Sequence, residues 1–128
     1  MQLTREVSER NLIRAWERGR VLVGDRWVGG NLVVSAERVI ADWPAHDPQT
    51  LRLEDLGVAL ELDPEIVLIG TGERAHLPDV ELMDALAERG IGLEFLTTPA
   101  ACRTYNVLVH EQRRVVAVLF NTKLADPR

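Results

Sequence analysis

Ile66-Val67-Leu68-Ile69-Gly70-Thr71-Gly72-Glu73-Arg74 decides how the rest of the chain is read. Four β-favouring apolar residues without a polar interruption are what a strand covered on both faces requires. The glycines that follow end that strand in a turn, because glycine accepts backbone angles that side chains resist. Downstream the pattern repeats: Gly92 to Leu96 reads as a second strand and Arg114 to Phe120, with its Val115-Val116-Ala117-Val118-Leu119 run, as a third. Between them lie two helical patterns. Pro78 opens the first, where its missing N–H costs nothing; Leu82, Met83, Leu86 and Ala87 form its buried stripe and Gly90 ends it. Thr98 caps the second, Pro99 sits in its first turn, and Ala101, Tyr105, Leu108 and Val109 make its packed face. Residues 51–120 therefore read as a β-α-β-α-β unit with right-handed crossovers and helices against the sheet. A short helix from Leu53 to Leu60 precedes it, closed by Asp63-Pro64.

Upstream the pattern changes. Ile13 and Ala15, then Val21 and Val23, alternate with polar neighbours, and Arg18-Gly19, Gly24-Asp25 and Gly29-Gly30-Asn31 are turn signals. Leu32-Val33-Val34 and Val39-Ile40-Ala41 add two strands around Ser35-Ala36-Glu37. Residues 1–43 thus read as an antiparallel β-meander, holding Trp16, Trp27 and Trp43 as core or hairpin-pinning residues or as an anchor for a partner. Pro44 to Thr50 is a connection, and residues 121–128 form a polar tail. The expected fold is a single α/β domain: the N-terminal antiparallel meander, then the β-α-β-α-β unit with a mixed sheet flanked by helices. No internal repeat or low-complexity segment interrupts it.

Composition narrows the function. The 128 residues carry a net charge of −5, which argues against nonspecific nucleic-acid binding, where Lys and Arg must neutralise phosphates. Cys102 is the single cysteine, so an intramolecular disulfide and a thiol zinc site within one chain are both excluded, and a reducing compartment fits. The N-terminal segment lacks the apolar core of a signal peptide, and no apolar run approaches the ~20 residues of a bilayer-spanning helix. A cytoplasmic protein is expected, without metal or cofactor.

Parallel pairing would set Gly70-Thr71-Gly72-Glu73-Arg74 beside Thr97-Thr98 at the carboxyl edge of the sheet, where ligands of open α/β sheets tend to bind. Glycine backbone, free amides at a helix start and the Arg74 charge together suit a carboxylate or phosphate. The ligand-binding candidates are Gly70, Thr71, Gly72, Arg74, Thr97, Thr98, Cys102 and Asn106. The alternative is that the glycines only form the turn. A Gly-X-Gly with Pro78 six positions further on is a weak dinucleotide signal, and without Gly-Lys-Ser/Thr there is no triphosphate loop. Cys102 lies near the helix start, whose dipole favours a thiolate, and is the one candidate nucleophile; packing as a small hydrophobe is the commoner fate of such a residue. Arg103 is placed on the outer side of the helix. Asn106 flanks the packed face, where its amide can tie the helix to a neighbouring loop. His76 shares the glycine loop, whereas His46 and His110 lie apart from it, and the acidic groups read as solvated helix faces and ends.

Pro64 to Gly72, the Arg89-Gly90-Ile91-Gly92-Leu93-Glu94 step, and Thr98-Pro99-Ala100-Ala101-Cys102-Arg103-Thr104-Tyr105-Asn106 resemble a widespread small α/β family of unknown function. It includes a mitochondrial assembly factor for respiratory complex I (NADH:ubiquinone oxidoreductase) and an adipogenesis-associated mammalian protein. The resemblance takes in the Trp43-Pro44 end of the meander and so nearly the whole chain. It implies a three-layer or sandwich-like α/β domain with a mixed sheet and a hairpin-rich N-terminal part. No established catalytic residues come with it. The expected function is a non-enzymatic binding or assembly module with a protein partner, in a free-living bacterial relative. The alternative is a protein or enzyme that binds a small anionic ligand at the Gly-Thr-Gly edge and Cys102.

Overall fold

The computed structural model describes residues 10–44 and 47–121. Among the described residues, eight strands form two sheets. β1 (Ile13–Glu17), β2 (Arg20–Val23) and β3 (Arg26–Gly29) make an antiparallel three-stranded sheet. β4 (Leu32–Ser35) and β5 (Val39–Ile40) leave that meander and join β6 (Ile66–Gly70), β7 (Gly92–Leu96) and β8 (Val115–Leu119) in a mixed sheet ordered β5-β4-β8-β6-β7. The meander is therefore divided between two sheets, at the Gly30-Asn31 turn. The Ser35 hydroxyl shapes the β4–β5 turn by accepting from the Arg38 amide at 3.1 Å.

β8 is the central strand of the mixed sheet, and β6, built from Ile66–Gly70, is the interior strand beside it. β6 pairs in parallel with β7 on one side and β8 on the other, and β8 pairs antiparallel with β4. Period-two alternation then sends successive residues to opposite faces. Leu68, Val115, Ala117 and Leu119 face one core, whereas Val67, Ile69, Val116, Val118 and Phe120 face the other. Both faces are covered, as the uninterrupted apolar runs require.

One face packs on α3 (Thr98–His110) and the three-stranded sheet: Ala101, Cys102, Tyr105 and Val109 meet Ile13, Val21 and Val23 there. The opposite face is closed by two 3₁₀ turns (Pro48–Thr50 and Leu53–Leu56), α1 (Gly57–Leu60) and α2 (Val80–Ala87). The helix expected over 53–60 is thus a tight turn running into one α-turn, with the Asp55 carboxylate accepting from the Arg52 amide at 2.8 Å. Trp43 is buried in this second core, edge-on to Phe120 at 5.2 Å between ring centroids, and its Nε1–H donates to the Asp55 carbonyl. Trp27 differs, lying half-exposed under the Arg20 guanidinium, 3.9 Å from the ring centroid.

Helix boundaries move by a residue or two from the expected ones. Pro78, expected in the first turn of α2, lies just before it; Asp79 is the cap, its carboxylate accepting from the Glu81 and Leu82 amides. Leu82 and Leu86 are buried and Met83 half-buried, while Ala87 faces solvent, leaving a narrower apolar stripe. Thr97, and not Thr98, caps α3; its hydroxyl accepts from the Ala100 amide, which frees the Thr98 side chain for another task. Asn121 at the start of the expected polar tail is only 3% exposed, and its amide donates to the Asn31 carboxamide oxygen at 2.7 Å. Residues 122–128 and His46 lie outside the described residues.

Candidate functional site

The carboxyl ends of β6, β7 and β8 come together as the parallel register requires, with Gly70 opposite both Leu96 and Leu119. Their polar groups are bonded to one another. The Gly72 amide donates to the Thr98 hydroxyl at 2.8 Å, and the Thr98 amide donates to the Gly72 carbonyl at 2.8 Å. The same hydroxyl donates to the Phe120 carbonyl at 2.7 Å, and the Phe120 amide donates to Gly70. Thr98 is fully buried, and its one hydroxyl links the chain just past β6 to the chain just past β8. Thr71 is also buried; its amide donates to the Leu96 carbonyl and its hydroxyl to the Arg74 carbonyl at 2.6 Å.

The first turn of α3 has no amide to spare. Thr98 N–H is held by Gly72, Pro99 has none, and the Ala100 and Ala101 amides are held by the hydroxyl and the carbonyl of Thr97. Close packing explains the glycine. A Cβ at Gly70 would lie 2.9 Å from the Leu119 side chain and 3.0 Å from the Thr98 Cα, so the helix sits directly on the strand end. At Gly72, with φ of 95°, the backbone itself favours glycine and the space beside it is open. Arg74 is exposed on the loop, and Glu73 is ion-paired with Arg18 of the β1–β2 turn. His76 turns to Gln49, at 3.1 Å, and His110 is exposed at the far end of α3.

Cys102 and Asn106 face a different place. Cys102 is 5% exposed, and burial pushes its thiol up from 9.0 to about 12 despite the neighbouring Arg103 guanidinium. Desolvation of the thiolate outweighs the dipole effect expected from the helix start. Tyr105 one turn on is also buried, its pKa pushed up mainly by desolvation, and its hydroxyl donates to the Asn11 carbonyl at 2.6 Å. Asn106 acts as a surrogate strand. Its carboxamide oxygen accepts from the Ile13 amide at 2.9 Å and its Nδ2 donates to the Ile13 carbonyl at 2.7 Å. The expected tie to a loop is therefore a two-bond clamp on β1, beside the point where the β1–β2 register shifts between Ile13 and Ala15.

Between β1 and the first half of α3 lies a cleft of about 290 Å³, lined by Ile13, Arg14, Ala15, Trp16, Pro99, Cys102, Arg103 and Asn106. The eight sequence candidates thus divide: Gly70, Thr71, Gly72, Thr97 and Thr98 gather at the strand ends with Arg74 on the adjoining loop, while Cys102 and Asn106 line the cleft. Arg14 has no place in the sequence reading, and Trp16 enters it only as a core, hairpin-pinning or partner-anchoring residue. They are two apart on a strand, but only the docking of α3 makes that part of β1 the wall of a cleft. Among the described residues, no group of three or more His, Cys, Asp or Glu side chains is placed to hold a metal ion, and no helix is long and apolar enough to cross a membrane.

Comparisons with known proteins extend over most of this fold. A Francisella tularensis subsp. holarctica protein named 13 kDa major membrane protein is 33% identical over 107 residues, covering 83% of this chain and 87% of the relative. The Xenopus tropicalis protein named NADH dehydrogenase [ubiquinone] 1 alpha subcomplex assembly factor 3 is 30% identical over 131 residues, covering 98% of this chain and 70% of the relative. Among solved structures, a Bordetella parapertussis protein superposes with a TM-score of 0.81 at 35% identity, over 88% of this chain and 97% of that one. A family described as Protein of unknown function (DUF498/DUF598) matches residues 13–120, from the start of the first strand to the residue just after the last, and the chain belongs to that family.

Proposed function

We propose that the chain is a cytoplasmic, non-enzymatic binding module that works through a protein partner in the assembly of a respiratory NADH dehydrogenase. The carrying observation is the state of Cys102, the one candidate nucleophile: it is packed in the core and its pKa is pushed up to about 12, so at neutral pH it is a thiol and not a thiolate. The Gly-Thr-Gly edge supports the same reading, because its amides are spent on Thr98 and the neighbouring strand ends. The name of the Xenopus tropicalis relative supplies the assembly role. Leu77, just before α2, and Val80, its first residue, are 92% and 67% exposed and are apolar surface of the kind a partner covers.

The test is a gene deletion combined with native pull-down of the tagged chain. Loss of assembled NADH dehydrogenase on a native gel, together with reproducible recovery of one of its subunits or of another assembly protein, is the expected result. Normal complex levels with no partner recovered would overturn the proposal.

A further inference from the structure

We propose that the cleft between β1 and α3 is a binding site for a carboxylate carried on an apolar body. Arg14 and Arg103 line it from opposite elements, one on the strand and one on the helix, and both side chains are exposed. Among the described residues neither arginine forms an ion pair with a carboxylate, a state they share with other surface arginines such as Arg26 and Arg74; what sets these two apart is that they line the same cleft. No carboxylate lines the cleft, although the chain as a whole carries an excess of acid. Two unneutralised guanidinia at one mouth form a local positive field, and the guanidinium fork matches a carboxylate with two parallel hydrogen bonds.

The walls select the rest of the ligand. Ile13, Ala15, Pro99, the Cys102 thiol and the Trp16 ring present apolar surface, which favours a hydrocarbon or aromatic body over a bare phosphate. Trp16 also carries a buried Nε1–H with no hydrogen-bond acceptor among the described residues, an uncommon and costly condition. The Asn106 clamp on Ile13 holds strand to helix, so the spacing of the walls is set before anything binds. At about 290 Å³ the cleft is near the lower limit of ordinary ligand pockets, of roughly 300 Å³. That suits a short acid or one acidic side chain with its apolar neighbour. The site is separate from the Gly-Thr-Gly edge and independent of the assembly proposal.

The indole resonances of the three tryptophans provide the test. The ¹⁵N-labelled chain is titrated with hexanoate, phenylacetate, a capped tetrapeptide alternating leucine and glutamate, and inorganic phosphate. The expected result is a saturable shift of the Trp16 Nε1–H signal, with Trp27 and Trp43 unmoved, on adding a free acid or the peptide at concentrations up to ~10 mM. Response to the free acids marks a small-molecule site, and response to the peptide alone marks an acidic protein segment; either supports the proposal. Arg14→Gln and Arg103→Gln, both at exposed positions, should each weaken binding by roughly tenfold, while Arg74→Gln on the glycine loop leaves it unchanged. A Trp16 signal unmoved by every carboxylate, a response to phosphate alone, or binding abolished by Arg74→Gln and not by the cleft variants would each overturn it.

Discussion

The strand-end joint and the β1–α3 cleft lie at the first turns of the same helix, yet their polar groups are used in opposite ways. At the joint, the Gly72 and Thr98 amides and one buried hydroxyl satisfy each other, and only Arg74 on the adjoining loop is left exposed. At the cleft, Arg14, Arg103 and the Trp16 Nε1–H are left without acceptors among the described residues, and only Asn106 is fully committed. The joint has the sequence pattern usually associated with ligands, and the cleft has none. Motif and availability are separate properties, because a loop able to cradle an anion is equally able to receive a neighbouring hydroxyl.

The contrast is broken most severely at Thr98. Thr98→Val keeps the shape but removes the partner of the Gly72 amide and a donor to Phe120, which should cost about 3 kcal/mol and lower Tm by roughly 10 °C. Thr98→Ser keeps the hydroxyl and should lose less than half as much by calorimetry. Equal losses in the two variants would mean that packing, not hydrogen bonding, holds the joint. Gly70→Ala comes next. Its Cβ meets the Thr98 backbone at 3.0 Å, so α3 must shift, at about 2 kcal/mol by denaturant titration. A neutral effect would show that the helix is not tightly seated.

Asn106→Ala tests the cleft side. It strips both hydrogen bonds from the Ile13 backbone and should cost about 2 kcal/mol, with faster hydrogen exchange at the Ile13 amide than at Val118 in the sheet centre. Unchanged exchange at Ile13 would show that β1 is held by β2 alone. The smallest effect at neutral pH is at Cys102, whose titration is alkaline. Burial raises the folded pKa of Cys102 above 9.0, so its contribution to stability is complete below pH 9 and is lost as pH rises toward about 12. Cys102→Ala should flatten that part of the stability curve and leave Tm at pH 7 nearly unchanged. In the folded wild-type chain at pH 8, the thiol should react about a hundredfold or more slowly with a small disulfide reagent than after unfolding. Equal rates would place the thiol at the surface.

The periodicities found the elements because they follow from local chemistry. The Val115–Leu119 run located β8, the Leu82 and Leu86 spacing located α2, and Pro99 marked the first turn of α3. They misplaced the cap of α3 by one residue, since Thr97 and Thr98 are chemically equivalent capping candidates. The choice was settled by Phe120, distant in sequence, whose carbonyl claims the Thr98 hydroxyl. The division of the meander was illegible for the same kind of reason. Nothing in Leu32-Val33-Val34 distinguishes pairing with β3 from pairing with β8, and long-range register decided it.

By itself, then, the sequence determined which segments are strands and helices, the two-faced burial of β6 and β8, the family of the fold and the gathering of Gly70 and Thr98 at one sheet edge. These depend on spacing along the chain. Only the tertiary structure decided that the edge is closed upon itself, that Cys102 is held as a thiol, and that Arg14 on β1 and Arg103 on α3, 89 positions apart, line one cleft. Hydrogen-bond satisfaction and desolvation depend on what finally lies within a few ångströms of each group, and that is set by packing between segments remote in sequence.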